Sequence, residues 1–268
     1  NYSDGRILIK TSEEIDLTLP EVIDLSTIIL RNTPTGINLM THLNSNTNGH
    51  SPPTTYDQSV DSSVISLQLP ESLRVYILSF SGTPGGDGGT AVVQIDENSM
   101  TDVALNSLVP VPSDPSAPGS LTLIEHPDVV RPKLIGVTLD YGVGHVVISA
   151  SETIDATPST LIQSSQLYIS NTPGDFFLPL DGANVVAQDG ISITLTLSEM
   201  ARAGAIRLSG VPGGDGGGVL VDIGYGACQD MAGNLIAAAT NLPVAETPDT
   251  IAPFVTSVHV LFSKGFVR

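Results

Sequence analysis

The chain has no tryptophan, a single cysteine and only ten basic residues in 268. Each shortage removes a class of explanation. With Cys228 alone, no intrachain disulfide can form, so stability must come from packing. Ten Lys and Arg against 28 Asp and Glu leave a net charge of −18. No basic stripe exists to neutralise phosphates, which argues against a nucleic-acid partner. No apolar run approaches a membrane span, and no signal peptide opens the chain. Its abrupt start at Asn1 reads as a mature or excised piece of something longer. Aromatic residues make up 4%, so the apolar 41% rests on Val, Ile and Leu.

What is present is β-branched sequence punctuated by turn formers, with 26 Gly and 19 Pro. That mixture predicts many short strands, an all-β fold. "ISITLTL" (191–197) alternates strictly, which places Ile191, Ile193, Leu195 and Leu197 on one face of a half-buried strand. "VISLQL" (64–69), "AVVQI" (91–95), "VLVDI" (219–223) and "HVVISAS" (145–151) follow the same rule. Turn clusters separate them at intervals that suit a sandwich. One short helix is expected at 198–206, where Ser198 can cap and Glu199 suits the first turn. A second is expected at 70–78, with Pro70 in the cap position.

The sequence repeats itself. "SGTPGGDGG" (81–89) and "SGVPGGDGG" (209–217) carry one loop twice, at the offset of 128 that relates Asp87 to Asp215. Asp102 matches Asp230 and Asn106 matches Asn234 at that offset. Upstream, "TSEEID" (11–16) matches "ASETID" (150–155) at an offset of 139, with 44–56 as the site of an insertion in the first copy. "PDVVRPKLIGVTLDY" (127–141) matches "PDTIAPFVTSVHVLF" (248–262) at an offset of 121. In the second copy this strand runs on into "GVGHVVISASETID", whereas the first copy begins at the equivalent of that later piece. The first copy therefore lacks its opening strand and the chain ends with a spare one. A cut through a longer tandem array would produce this frame. So would a spare strand that fills the vacancy in the next molecule, through main-chain hydrogen bonds and alternate side chains. The second arrangement is the expectation. Because donor and acceptor surfaces differ, the contact is head-to-tail and yields a filament.

Candidate chemistry is sparse. The glycine loops lack the Lys-Ser/Thr of a phosphate loop. Asp87 and Asp215 could offer carboxylate to Ca²⁺, against the simpler role of the loops as glycine-permitted turns. Asp102, Asn106, Asp230 and Asn234 are either oxygen ligands or turn caps. No cofactor is required. The five histidines have no metal-ligand spacing, and Cys228 aligns with Met100 as small apolar filler. No nucleophile, base or paired-carboxylate cleft is indicated, so no enzyme is expected. "NYS" at Asn1 is an N-glycosylation sequon. The Ser/Thr-Pro clusters suit sugar on Ser/Thr or on hydroxylated Pro52, Pro53, Pro112, Pro115 and Pro118.

The pattern Asp-x-x-x-Pro before a strand, then "SASETID", "LTLSEMARAGAI" and "DMAGN", resembles the tandem Ig-like repeats of large extracellular proteins. These include adhesins, algal or protist mastigoneme-type fibres and glycan-coated glycofibrils. The resemblance covers nearly the whole chain, twice. It implies two tandem Ig-like β-sandwiches: residues 1–120 lacking the first strand, residues 121–247 complete, and 248–268 as a strand donated to the next protomer. Phe254, Thr256, Val258, Val260 and Phe262 would form that strand, with Val258 and Val260 inward. The implied role is a structural protomer of an extracellular, covalently glycosylated homopolymer. The alternative is an adhesin-type module that binds glycan or a partner surface.

Overall fold

The computed structural model describes residues 1–17, 23–32, 40–43, 54–57, 60–171, 178–261 and 266–267. Pro52, Pro53 and Phe262 lie outside these residues. The protein is mostly β and sandwich-like, with several largely antiparallel sheets and two short helices. Buried apolar side chains form two separate cores, one drawn from Tyr2 to Met100 and the other from Val137 to Ile236.

In the N-terminal unit, strands β1 (Arg6–Ile15), β2 (Ile28–Asn32), β3 (Met40–His42), β4 (Thr55–Tyr56) and β5 (Ser62–Gln68) precede helix α1 (Glu71–Leu78). Strands β6 (Ala91–Ile95) and β7 (Leu121–Thr122) follow it. They make two sheets, in the orders β1-β5-β4 and β3-β2-β6-β7. Leu121 and Thr122, which the sequence assigns to the second unit, pair with Val93 and Val92 of the first. The chain crosses over only after this last apolar pair, since Tyr2 also donates its N–H to the His126 carbonyl at 3.0 Å.

The C-terminal unit runs β8 (Leu134–Asp140), β9 (His145–Ile154), β10 (Leu167–Ser170), β11 (Leu178–Pro179), β12 (Asn184–Val185) and β13 (Gly190–Thr196). Helix α2 (Glu199–Arg207), β14 (Leu220–Ile223) and β15 (Ala239–Thr247) complete it. Here a single eight-stranded sheet has the order β11-β10-β14-β15-β8-β9-β13-β12. Strand β8 is the joining strand, parallel to β15 on one edge and antiparallel to β9 on the other. Val137 and Leu139 point from it into the core. Deleting β8 from that order leaves a run of four strands and a run of three, which is the arrangement of the N-terminal unit. There, an open groove of about 570 Å³ lies where β1 and β7 face each other. Its lining includes Ile7, Ile9, Ile28, Leu30, Val93 and Leu123.

Local sequence accounts for the elements. Ile193, Leu195 and Leu197 are buried as their alternation predicts. Ile191 is instead 57% exposed, because a bulge between Gly190 and Ser192 breaks the period of the β13–β9 ladder. Strand β1 carries the matching irregularity between Lys10 and Ile15. Ser198 caps α2 by accepting the Ala201 N–H at 3.2 Å, whereas Pro70 opens α1 without a side-chain cap. At the end of the chain, residues 251–259 join no ladder and are exposed, including Phe254 at 83%. Strands β16 (Val260–Leu261) and β17 (Phe266–Val267) pair only with each other.

Leu139 is 1% exposed at the centre of the joined sheet. Leu139→Ala should cost about 2–5 kcal/mol, read as a lower urea midpoint for the C-terminal core.

Candidate functional site

The feature with the densest chemistry is the joint between the two units. It is organised by Arg74, whose side chain is 5% exposed. Helix α1 presents Leu73, Ile77 and Leu78 to the core and delivers Arg74 on the adjoining buried face. Four chain segments supply its acceptors. Glu71, one turn earlier, takes Nε and Nη2 at 2.7 Å each. Asp128, on the connection between units, takes Nη1 at 2.5 Å, and the Tyr2 carbonyl accepts from the same nitrogen at 2.9 Å. Glu152, from β9 of the C-terminal unit, accepts from Nη2 at 3.3 Å. Glu71 reaches back across the joint and accepts the Thr153 N–H at 2.8 Å. Glu152 and Thr153 lie within the irregular stretch of β9, and a bulge is a common device for re-aiming side chains.

Asp230 completes the cluster. Asp128, Glu152 and Asp230 offer carboxylate oxygens within 4.8 Å of one another, the one such group among the described residues. Three carboxylates, Glu71, Asp128 and Glu152, meet the guanidinium directly, and Asp230 lies beside the last two. Burial and the neighbouring Asp128 push the Glu152 carboxyl up to about 7, against the pull of Arg74. Burial also raises Asp230, although Asn234 donates to it through its side chain at 2.9 Å and its backbone at 2.8 Å. Burial raises Glu71 too, but the Arg74 hydrogen bonds outweigh it and hold that carboxyl low. The three close carboxylates have the donor type that hard cations take. Arg74 already provides a cation to two of them, Asp128 and Glu152.

The first glycine loop closes the same joint. Gly85 has φ +91°, and a Cβ there would lie 2.2 Å from the Met231 carbonyl oxygen. Met231 and Ala232 of the C-terminal unit pack against the N-terminal core. Glycine is required at this position twice, by conformation and by close approach. The aspartates of the two loops act locally. Asp87 accepts from the Gly89 N–H at 2.8 Å and from the Asn32 amide. Asp215 accepts from the Gly217 N–H at 2.9 Å and from the Asn171 amide. Neither belongs to a group of three metal-capable side chains among the described residues.

Asp102 and Asn106 form an exposed turn, with the Asn106 amide donating to Asp102 at 2.7 Å. Asn1 is exposed, as are Pro115 and Pro118, while Pro112 is half-buried. Cys228 is buried, and desolvation pushes its thiol up to about 12. No described helix is long and apolar enough to cross a membrane. Comparison with protein-family models, curated proteins and solved structures finds no match to the chain.

The sequence gives Arg74 no role and shows Asp128 only as the first residue of the Asp-x-x-x-Pro pattern. A signal was available in the repeat itself. Arg74 recurs as Arg202 at an offset of 128, and Asp128 as Asp249 at 121, in a chain with ten basic residues.

Two outcomes follow from the geometry. Gly85→Ala should weaken the joint by about 2–4 kcal/mol in calorimetry, since steric conflict adds to the positive-φ penalty of about 1–2 kcal/mol. Gly88→Ala, at φ +85° with nothing within 4 Å, should show the φ penalty alone. The second outcome concerns pH. Between the ordinary glutamate value of 4.5 and about 7, the fold keeps a proton on Glu152 that the unfolded chain releases. Stability should therefore fall as pH rises through that window, and Glu152→Gln should flatten the fall in pH-resolved melting curves.

Proposed function

We propose that the protein is the structural protomer of an extracellular, glycosylated filament, built from two tandem Ig-like sandwiches and joined head-to-tail by donor-strand complementation. One observation carries this reading: the N-terminal unit is arranged as the C-terminal unit would be without β8. At the offset of 121, β8 corresponds to residues 255–261, which are the spare strand.

The correspondence can be followed residue by residue. In the C-terminal unit Val137 faces Ile148 and Leu139 faces Val146 across the β8–β9 ladder. The matching pairs between copies are Val258 with Ile9 and Val260 with Ile7. On the other edge Val137 faces Val244, which corresponds to Leu123. Ile7, Ile9 and Leu123 all line the groove. A donated strand would thus bury apolar surface on both sides and satisfy two rows of backbone groups at once. Phe254 and Thr256 correspond to Lys133 and Ile135, which are exposed, so they belong to the outer face. The place that Phe262 would take corresponds to Tyr141, and in the first unit Tyr2 fills it. Tyr2 is 7% exposed and donates to Glu125 at 2.8 Å, as Tyr141 donates to Glu246 at 2.6 Å. The donated segment therefore spans residues 255–260, with Val258 and Val260 as its anchors.

The mechanism is mechanical. A strand held along both edges resists tension because its hydrogen bonds must shear together. The sugars would sit on Asn1 and on the exposed Pro115 and Pro118. A bare peptide mass for the native material removes that part of the reading.

Removing residues 249–268 should leave a monomer whose N-terminal unit melts first. A synthetic peptide of residues 251–261 should bind that monomer and raise the lower transition without producing filaments. Filaments of normal length from the deletion would sink the proposal.

A further inference from the structure

The outer end of the C-terminal unit is a copy of the joint with one side missing. Arg202 occupies the place of Arg74. Its Nε and Nη2 donate to Glu199 at 2.8 Å each, and its Nη1 to Asp249 at 2.5 Å and to the Tyr141 carbonyl at 2.7 Å. Every partner within Arg74's own unit and connection thus has its counterpart. The partners from across the joint do not. Glu199 is 75% exposed where Glu71 is 29%, and Arg202 is 20% exposed where Arg74 is 5%. Gly213, the counterpart of Gly85, has φ +99°, and a Cβ there would meet only Ile206 at 3.3 Å. The loop has the backbone shape for close approach but no neighbour.

The missing side is present on the same chain, at the opposite end. Glu13 and Glu14 lie in the irregular stretch of β1 at the positions of Glu152 and Thr153, and both are exposed where their counterparts are buried. Val103 and Ala104 hold the positions of Met231 and Ala232 and are exposed. Val103 is 55% exposed, and Leu105 beside it 69%. Asn106 donates to Asp102 through its backbone and its side-chain amide, the two bonds that Asn234 makes to Asp230.

We infer that a second copy of this chain docks here, and that its N-terminal unit rebuilds the internal joint between protomers. Glu13 of the second copy accepts from Arg202, the Glu14 N–H donates to Glu199, and the carbonyl of Val103 closes on Gly213. The occupant is identified by continuity with the joint inside the chain, whose two halves these surfaces repeat. The inference rests on the head-to-tail reading for the order of the copies, but not on the strand. It adds a contact between folded units, so successive units repeat one geometry within and between protomers. A donated strand alone would leave every second joint slack.

The test uses full-length variants matched for backbone strain. Gly213→Ala and Gly216→Ala both place a side chain at positive φ, +99° and +91°, but nothing lies within 4 Å of Gly216, and Gly88, its counterpart, is equally open. Sedimentation gives the concentration at which half the chain assembles, and electron microscopy gives the angle between successive units. Gly213→Ala should raise that concentration at least tenfold over Gly216→Ala, or bend alternate joints where filaments persist. Equal assembly and uniform joints in the two variants overturn the inference. Val258→Asp, at an exposed position, separates the two readings: normal filaments from it overturn strand donation and leave the glycine comparison to decide the docked joint. A natural chain that stays monomeric at all concentrations overturns both.

Discussion

A strand inside a sheet must find backbone partners on both edges, and this protein turns on one position where that demand is met or left open. In the C-terminal unit β8 answers it, with β15 on one side and β9 on the other. Val137 and Leu139 then seal the core beneath. In the N-terminal unit the same position is an apolar groove between β1 and β7. The two units share their elements, helix and glycine loop, so the difference in their sheets reduces to this one strand. The exposed apolar residues near the chain end, Val255 and Val258, find their counterparts in β8.

The joint between units obeys a second constraint, which is the cost of burying charge. Arg74 and its carboxylates would be unfavourable in isolation, and an incomplete set would leave a charge without compensation. Glu71 and Asp128 come from Arg74's side, Glu152 from the other, so the guanidinium is satisfied in full only when the units sit in one relation. The glycine loop works to the same end by sterics, because any side chain at Gly85 would hold Met231 away. A polar network sets the register and a missing Cβ sets the distance. The exposed Glu199 and the open Gly213 at the far end have the same two devices without a neighbour.

Much of the fold was legible because strand alternation and turn chemistry are local. The burial of Ile193, Leu195 and Leu197, the cap at Ser198 and both helices were expected at their positions. Ile191 was misplaced because a bulge shifts the period and leaves no mark in hydrophobicity. The boundary at 120 was drawn at the end of a Pro-rich stretch, whereas β7 extends the first sheet to Thr122. Asp87 and Asp215 were weighed as calcium ligands because they recur between glycines. Their partners, Asn32 and Asn171, stand 55 and 44 residues away in sequence, beyond the reach of any local pattern.

The sequence by itself determined the β character, the two-fold repetition and the offset of 121 that matches residues 127–141 to 248–262. These follow from periodicity and alignment, which need no knowledge of what touches what. Only the tertiary structure decided that Arg74, Asp128 and Glu152 meet. They come from a helix, a connection and a bulged strand, and their meeting depends on how the two units sit against each other. It also changed the meaning of the glycine loop. In sequence the loop marks a repeat; in space Gly85 is the point where one unit's backbone touches the next, because an absent side chain acts only on what lies beside it.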